Sequence, residues 1–207
     1  MANRKERRIG IFSGTFDPVH KGHISFALQA ITEAGLDKVV FIPEPKPRHK
    51  HEVTHIGHRL AMLELALKVC PNLDVMELPD KQFTVKSSLP RIKKQFPECE
   101  LVMLVGTDVL KHISVWPYAK VLLKDVGLVV AARGQADERH ALALLSQLPV
   151  EPPESHVVVS QHKMMSSSAI RADLKAGRET DEVLKTVKKY AAEHWIYTSV
   201  AGSASKS

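Results

Sequence analysis

Apolar residues along the chain fall into two alternating kinds of run. Short stretches, "RIGIFSG" (8–14), "KVVFIP" (38–43), "LDVMEL" (73–78), "ELVMLVG" (100–106), "VGLVVAAR" (126–133) and "HVVVS" (156–160), are rich in apolar and β-branched residues. Between them, residues 22–34, 58–70, 85–96, 117–124 and 137–147 carry apolar side chains at helical spacing. Apolar strands separated by amphipathic helices predict an α/β fold, with a parallel sheet covered by helices on both faces. A C-terminal helical segment follows, with helices near 168–176 and 180–194. In the second, Val183, Leu184, Val187, Tyr190, Ala191 and Trp195 recur at helical spacing, which predicts Trp195 in the core. Residues 1–8 read as a basic tail, 9–197 as one domain and 198–207 as a disordered tail.

In parallel sheets of this kind, ligands bind beyond the carboxyl ends of the strands. Three such ends hold the unusual residues. In "IGIFSGTFDPVHKGH" (9–23) the first strand is left through Ser13, Gly14 and Thr15, Pro18 fixes a φ angle, and a helix opens at about Gly22. His20 and His23 then stand at the mouth of a strand-to-helix turn, where unpaired N–H groups and the helix dipole favour an anion; two imidazoles added there suggest a phosphate site. In "VGTDVL" (105–110), Gly106 permits close backbone approach and Asp108 follows a buried strand. In "KMMSSSAIRADLKAG" (163–177), Ser166, Ser167 and Ser168 precede a helix that ends at Gly177, and Arg171 adds a forked, permanently charged donor.

Composition narrows the class. With 207 residues, 44% hydrophobic and 25% charged, the chain can build a sizeable core. Net charge of +6 and a pI near 9.3 suit a polyphosphate ligand. Nucleic acid is not expected as a partner, because aromatics are only 5% and Lys/Arg residues are scattered. No apolar run approaches the roughly 20 residues that span a bilayer, so no membrane association is expected. Cys70 and Cys99 lack metal-type spacing and fit a reducing cytoplasm. His49, His51, His55 and His58 fall within ten residues, with no cysteine or carboxylate constellation beside them; no protein-held metal is expected, and a solvated, substrate-covering loop is the better reading.

The combination of motifs is more specific than any of them alone. The segment Gly14, Phe16, Asp17, Pro18, His20, Gly22, His23 near the start and the Ser-Ser-Ser-x-x-Arg segment near the end resemble the signature pair of the nucleotidylyltransferase superfamily. "KMMSSS" also resembles the Lys-Met-Ser-type loop of the related class I aminoacyl-tRNA synthetases, but the chain has no room for a tRNA-binding domain. Further stretches, "FIP…KPRHK" (41–50), "HRLAMLELAL" (58–67), "FTVKSSL" (83–89), "VGTD…W" (105–116), "VVAAR" (129–133) and "VLKTVKKYAAEHWIY" (183–197), make the chain similar to bacterial nicotinate/nicotinamide mononucleotide adenylyltransferases from about Ile9 to Tyr197.

That resemblance implies a Rossmann-like fold and the joining of ATP to nicotinate or nicotinamide mononucleotide, with pyrophosphate released and Mg²⁺ carried on the ATP phosphates. It implies catalytic roles for His20, His23 and Arg171, and contacts to ATP from Ser13, Gly14, Thr15, Phe16, Gly106, Asp108, Ser166, Ser167 and Ser168. His49, Lys50 and Arg133 would face the mononucleotide phosphate side, and Phe83, Thr84 and Trp116 its pyridine ring. Two positions depart from the family. The residue after the tryptophan usually lends its N–H to the substrate carboxylate, and here it is Pro117, which has none. Ala169 stands where the bacterial family usually has Asp. The competing expectations are a transferase of the same fold using CTP or another phosphate acceptor, and a non-catalytic nucleotide- or nucleic-acid-binding protein. A homo-oligomer is compatible with all three.

Overall fold

The computed structural model describes residues 7–48, 50, 52–160 and 166–198. Among them, strands β1 (Arg7–Gly14), β2 (Lys38–Pro43), β3 (Leu73–Val75), β4 (Cys99–Gly106), β5 (Val126–Ala132) and β6 (Ser155–Val159) form one parallel sheet in the order β3-β2-β1-β4-β5-β6. Each crossover carries helix: α1 (Lys21–Glu33), α2 (Ile56–Leu67), α3 (Ser88–Gln95), the pair α4 (Thr107–Ile113) and α5 (Ala119–Asp125), then α6 (Gln135–Ser146). Helices α7 (Ser167–Lys175) and α8 (Lys185–Glu193) follow the sheet.

Burial on both faces follows from the period of two along each strand. Val39, Phe41, Val102, Leu104, Val129 and Ala131 point to one face and pack with Phe26 and Ala30 of α1, Met62 and Leu63 of α2, Ile170 of α7 and Val187 of α8. Val40, Ile42, Met103, Val105, Leu128 and Val130 point to the other and meet Leu89 and Ile92 of α3, Leu110 and Ile113 of α4, Leu122 of α5 and Ala141 of α6. Both faces are therefore dry, which is why the strands read as unbroken apolar runs. The chain winds outward from β1 to β3, then returns to place β4 on the other side of β1. The carboxyl ends of β1 and β4 thus flank the reversal of strand order, where doubly wound sheets open a crevice.

The expected strands are all present, β3 being shorter than its apolar run. Helix α4 was not foreseen: it starts directly after Gly106, the last residue of β4, and its seven residues are too few to display a helical period against the apolar strand before them. At the amino end, Arg7 and Arg8 belong to β1 rather than to a tail, and Arg8 pairs with Glu100 and Glu154. The expectation for Trp195 is overturned. Helix α8 stops at Glu193, Trp195 takes a φ of +56°, and its ring is 82% exposed. That turn swings Tyr197 inward instead, where it is buried. His58, where the histidine-rich loop and the expected helix 58–70 meet, lies in α2 and bonds the Tyr190 hydroxyl of α8 at 3.0 Å. No helix among the described residues is long and apolar enough to cross a membrane.

Gly10, at the centre of β1, has no room for a side chain. A Cβ there would lie 2.7 Å from Val39 Cγ2, 2.9 Å from Leu36 Cδ1 and 3.0 Å from Leu104 Cδ1. Gly10→Val should therefore destabilise by about 1–3 kcal/mol through overpacking, read as a lower denaturant midpoint at unchanged slope. An unchanged midpoint would show that the neighbouring side chains give way freely.

Candidate active site

The turn between β1 and α1 is held by buried polar groups rather than by regular structure. Asp17 is 2% exposed; its Oδ2 accepts from the Thr54 backbone N–H at 3.1 Å, and its Oδ1 accepts from the Tyr197 hydroxyl. Burial, then the hydrogen bond to Asp17, push the Tyr197 phenol well above its ordinary range, so it stays a donor. Arg59 of α2 is wholly buried. Its Nε donates to Thr54 O at 2.8 Å, Nη1 to Thr15 O at 2.7 Å, and Nη2 to Glu44 O at 3.0 Å and Pro45 O at 3.2 Å. One guanidinium thus fixes the β1–α1 turn to the β2–α2 loop.

On that frame, His20 and His23 stack with ring centroids 3.6 Å apart and planes at 28°. His20 is the N-cap of α1, and its backbone N–H donates to His23 Nδ1 at 3.3 Å. Accepting at Nδ1 puts the proton of a neutral His23 on Nε2, leaving that nitrogen as a donor. Burial and then the charge of Arg133 lower the His20 pKa to about 4. Burial first, then His20 and Lys50, lower that of His23 well below the ordinary value. Both imidazoles are neutral near pH 7. His20 Nδ1 is buried, with no hydrogen-bond partner among the described residues.

Cations gather round the pair. Lys50 Nζ donates to Thr15 Oγ1 at 2.8 Å; its pKa is lowered by burial and then by Arg171, while Asp17, Asp108 and Glu44 pull it back up. Arg171 Nη1 donates to Asp17 O at 2.8 Å and Nη2 to Ser168 Oγ at 3.2 Å. Ser167 Oγ donates to Pro18 O at 3.3 Å, so the start of α7 docks on the β1–α1 turn; Ser166 caps it, accepting from Ala169 N at 3.2 Å. At the end of β4, a Cβ on Gly106 would lie 2.5 Å from Asp108 Oδ1, so the glycine makes room for that carboxylate. Asp137 accepts from the Thr107 hydroxyl at 3.0 Å and the Arg133 N–H at 2.8 Å, which anchors Arg133 beside β5. The Phe16 ring, expected at the nucleotide, is buried against Phe12 and Phe41 with φ +50°, so it supports the turn from behind. A Cβ on Gly14 would lie 3.0 Å from Phe16 Cζ, so the glycine makes room for that ring.

A second cluster stands to one side. Phe83 and Trp116 have ring centroids 6.2 Å apart, and the Arg48 guanidinium lies over Trp116 with Cζ 5.6 Å from its centroid. Thr84, beside Phe83, bonds Ser87 Oγ at 2.6 Å. Glu44 Oε1 joins the two clusters, accepting from Ser13 Oγ at 3.2 Å and Phe83 N–H at 3.0 Å. The fold therefore gathers His20, His23, Lys50, Arg171 and Arg133 around one mouth, with Ser13, Thr15, Asp108 and the Ser166–Ser168 turn on its edges, and sets Phe83, Thr84 and Trp116 apart from it. His49, and Lys163 to Met165 of the serine loop, lie outside the described residues. Arg59, Glu44, Asp137 and Arg48 were missed by sequence reasoning. A single arginine inside the apolar pattern of "HRLAMLELAL" was the available signal for the first, since an unpaired buried guanidinium is untenable.

Comparison with known proteins agrees with this geometry. A family model described as cytidylyltransferase-like matches residues 11–173. The nicotinate-nucleotide adenylyltransferase of Bacillus subtilis is 32% identical over 202 residues, covering 93% of this chain and all of that protein. A Thermomicrobium roseum protein described as a probable nicotinate-nucleotide adenylyltransferase is also 32% identical, over 93% of this chain and 92% of its own. Among solved structures, the Plasmodium falciparum nicotinic acid mononucleotide adenylyltransferase complexed with NaAD superposes with a TM-score of 0.76 at 15% identity, over 93% of this chain and 98% of that one, which is a likeness of fold. The sheet order, the paired histidines at its switch point and a third of the residues held in common over nearly the whole length have one consequence: the chain belongs to the cytidylyltransferase-like family of nucleotidyltransferases.

Proposed function

We infer that the protein is an adenylyltransferase that joins ATP to nicotinate mononucleotide, forming nicotinate adenine dinucleotide and pyrophosphate. The observation that carries the reading is the stacked, neutral His20–His23 pair at the switch point, with His23 Nε2 left as a donor among Lys50, Arg171 and Arg133. Relatives named for this activity, aligned over almost the whole chain, support the choice of acceptor. Supply of ATP and a mononucleotide puts the enzyme in the cytoplasm.

In the reaction, a phosphate oxygen of the mononucleotide attacks the α-phosphorus of ATP. One P–O bond forms, the bond to the β-phosphate breaks, and pyrophosphate departs with the electron pair. No covalent protein intermediate is needed, so positioning and charge stabilisation supply the rate. His23 donates from Nε2 to an α-phosphate oxygen as charge builds there, and His20 flanks it. Arg171, Ser167 and Ser168 hold the β- and γ-phosphates; once these bind, the Arg171 donors now on Asp17 O and Ser168 are shared with them. Lys50 and Arg133 face the mononucleotide phosphate, with His49 assigned beside them from the sequence, while Gly106 and Asp108 take the ribose of ATP. Ser13, Gly14, Thr15 and Phe16 contribute the turn against which ATP lies. Phe83, Thr84 and Trp116 receive the pyridine ring.

Mg²⁺ fits this site as a passenger on the phosphates. Among the described residues no group of three metal-type side chains gathers, and the side chains facing the mouth are chiefly imidazole, ammonium and guanidinium, which are matched to phosphate oxygens rather than to a cation. Bound there, it neutralises phosphate charge.

The direct test is pyrophosphate release with Mg²⁺, ATP and nicotinate mononucleotide. Turnover is expected; release only with CTP or with another phosphate acceptor would reassign the substrate, and salt-sensitive nucleic-acid binding without release would remove the catalytic reading. His23→Ala should lower turnover by on the order of 10²-fold or more, as expected for a lost transition-state donor, with the circular dichroism spectrum unchanged. Near-normal turnover would remove His23 from that role.

Neutral burial of the histidines also sets a pH dependence. The His20 pKa is about 4 when folded against an ordinary 6.5. Below pH 6.5 the unfolded chain therefore binds protons that the folded chain refuses, and stability falls with acidification down to about pH 4. His20 accounts for up to about 3 kcal/mol of that loss, fully absent above pH 6.5. Thermal midpoints measured from pH 7 to pH 4 should show this slope, and His20→Asn should flatten it. Equal slopes in both proteins would mean that His20 is protonated in the folded state.

A further inference from the structure

The cluster around Trp116 poses a question of donors. A ring that carries a carboxylate needs a hydrogen-bond donor or a cation in its pocket; a ring that carries an amide needs both a donor and an acceptor. Several backbone and hydroxyl donors on the pocket's walls are already engaged. The Trp116 backbone N–H bonds Ile113 O at 3.2 Å, and Pro117 has no N–H. Across the pocket, Phe83 N–H bonds Glu44 Oε1 at 3.0 Å, Thr84 N–H bonds Ser88 Oγ at 3.0 Å, and the Thr84 hydroxyl is paired with that of Ser87.

Arg48 is different. Its Nη2 donates to Phe83 O at 2.9 Å, and its guanidinium lies over the Trp116 ring. No carboxylate among the described residues forms an ion pair with it. Glu44, the acid at this pocket, is held by Phe83 N–H and Ser13 Oγ. A guanidinium has five N–H donors in a fixed fork, so Arg48 keeps donors to offer after bonding the Phe83 carbonyl.

We propose that Arg48 is the specificity-determining residue of the pyridine pocket: its guanidinium recognises the carboxylate of the nicotinate ring, and the uncharged amide is the poorer acceptor. The proposal rests on the reaction inferred above. It gives the two anchors of Arg48 distinct roles. The contact with Trp116 holds the charge at the pocket, and the bond to Phe83 O orients the fork while leaving its other N–H groups for a carboxylate.

The test compares kcat/KM for nicotinate mononucleotide and nicotinamide mononucleotide in the native enzyme, Arg48→Met and Arg48→Lys. Methionine keeps a flexible apolar chain over Trp116 and removes the charge. The native enzyme should prefer the acid, and Arg48→Met should lower the acid-to-amide ratio by about tenfold or more, as for loss of a charge-assisted bond, chiefly through KM for the acid. Arg48→Lys should recover part of the ratio, because it restores charge without the fork. A ratio unchanged in Arg48→Met, with both substrates weakened alike, would overturn the proposal and leave Arg48 as a support for the Phe83 loop. Preference of the native enzyme for the amide would overturn it as well. Failure of the native enzyme with both mononucleotides would instead remove the inferred reaction, and this proposal with it.

Discussion

A guanidinium with no exposed surface must have its donors satisfied, and Arg59 satisfies them on backbone carbonyls of Thr15, Glu44, Pro45 and Thr54. These groups belong to the turn after β1 and to the loop after β2, segments with no sheet or helix ladder of their own. Desolvation opposes the charge, and the nearby carboxylates of Asp17 and Glu44 favour it. Asp17 completes the arrangement from the other side, taking Thr54 N–H and the Tyr197 hydroxyl with its carboxylate and Arg171 with its carbonyl. Two opposite charges, one on α2 and one in the β1–α1 turn, therefore tie four separate stretches of chain to the carboxyl end of β1. Removing Asp17 would take an opposite charge from beside the buried Arg59, and removing Arg59 would leave four backbone carbonyls without its donors.

The mouth built on this frame is preorganised for anions by two different means. The imidazoles are kept neutral by burial and by neighbouring cations, so they offer dipoles rather than charges, and the bond from His20 N–H to His23 Nδ1 chooses which nitrogen of His23 donates. Lys50 and Arg171 are true cations that disfavour each other across the opening, with Asp17, Asp108 and Glu44 offsetting part of that repulsion. A bound polyphosphate relieves the remainder. Donors already in place need little reorganisation as the reaction proceeds, which is the condition under which electrostatic stabilisation is most effective.

Much of this was legible in the sequence because it depends on local pattern. Strands buried on both faces read as apolar runs, and Gly14, Asp17, Pro18, His20 and His23 stand together within one turn. The strand order itself was not legible, because alternating strands and helices with crossovers of one hand fit more than one order. Other features were not legible, for physical reasons. Helix α4 is shorter than two turns, so no period separates it from β4. Trp195 had core periodicity, but helix α8 ends at Glu193, and positive φ at Trp195 and Tyr197 turns the chain so that Tyr197 is buried instead. Arg59 bonds partners 5, 14, 15 and 44 residues away, the Glu44 carboxylate partners 31 and 39 away, and Asp137 partners 4 and 30 away. Such roles exist only after the loops have met.

In the proposed reaction, Glu44 would keep the two substrates in register. Its backbone carbonyl accepts from Arg59 and its N–H bonds Gly14 O, so its position is set by the phosphate mouth. Its carboxylate reaches Ser13 on β1 and Phe83 N–H in the loop before α3, so the aromatic pocket is hung from the same residue. Arg48 then closes the circuit, since it leaves the same β2–α2 loop and bonds the Phe83 carbonyl. A displacement of that loop moves the ring pocket and the phosphate site together rather than apart. In a reaction whose rate comes from aligning an attacking oxygen with a phosphorus atom, errors of about 1 Å are costly, and a single loop that carries both contacts suppresses the relative error between them.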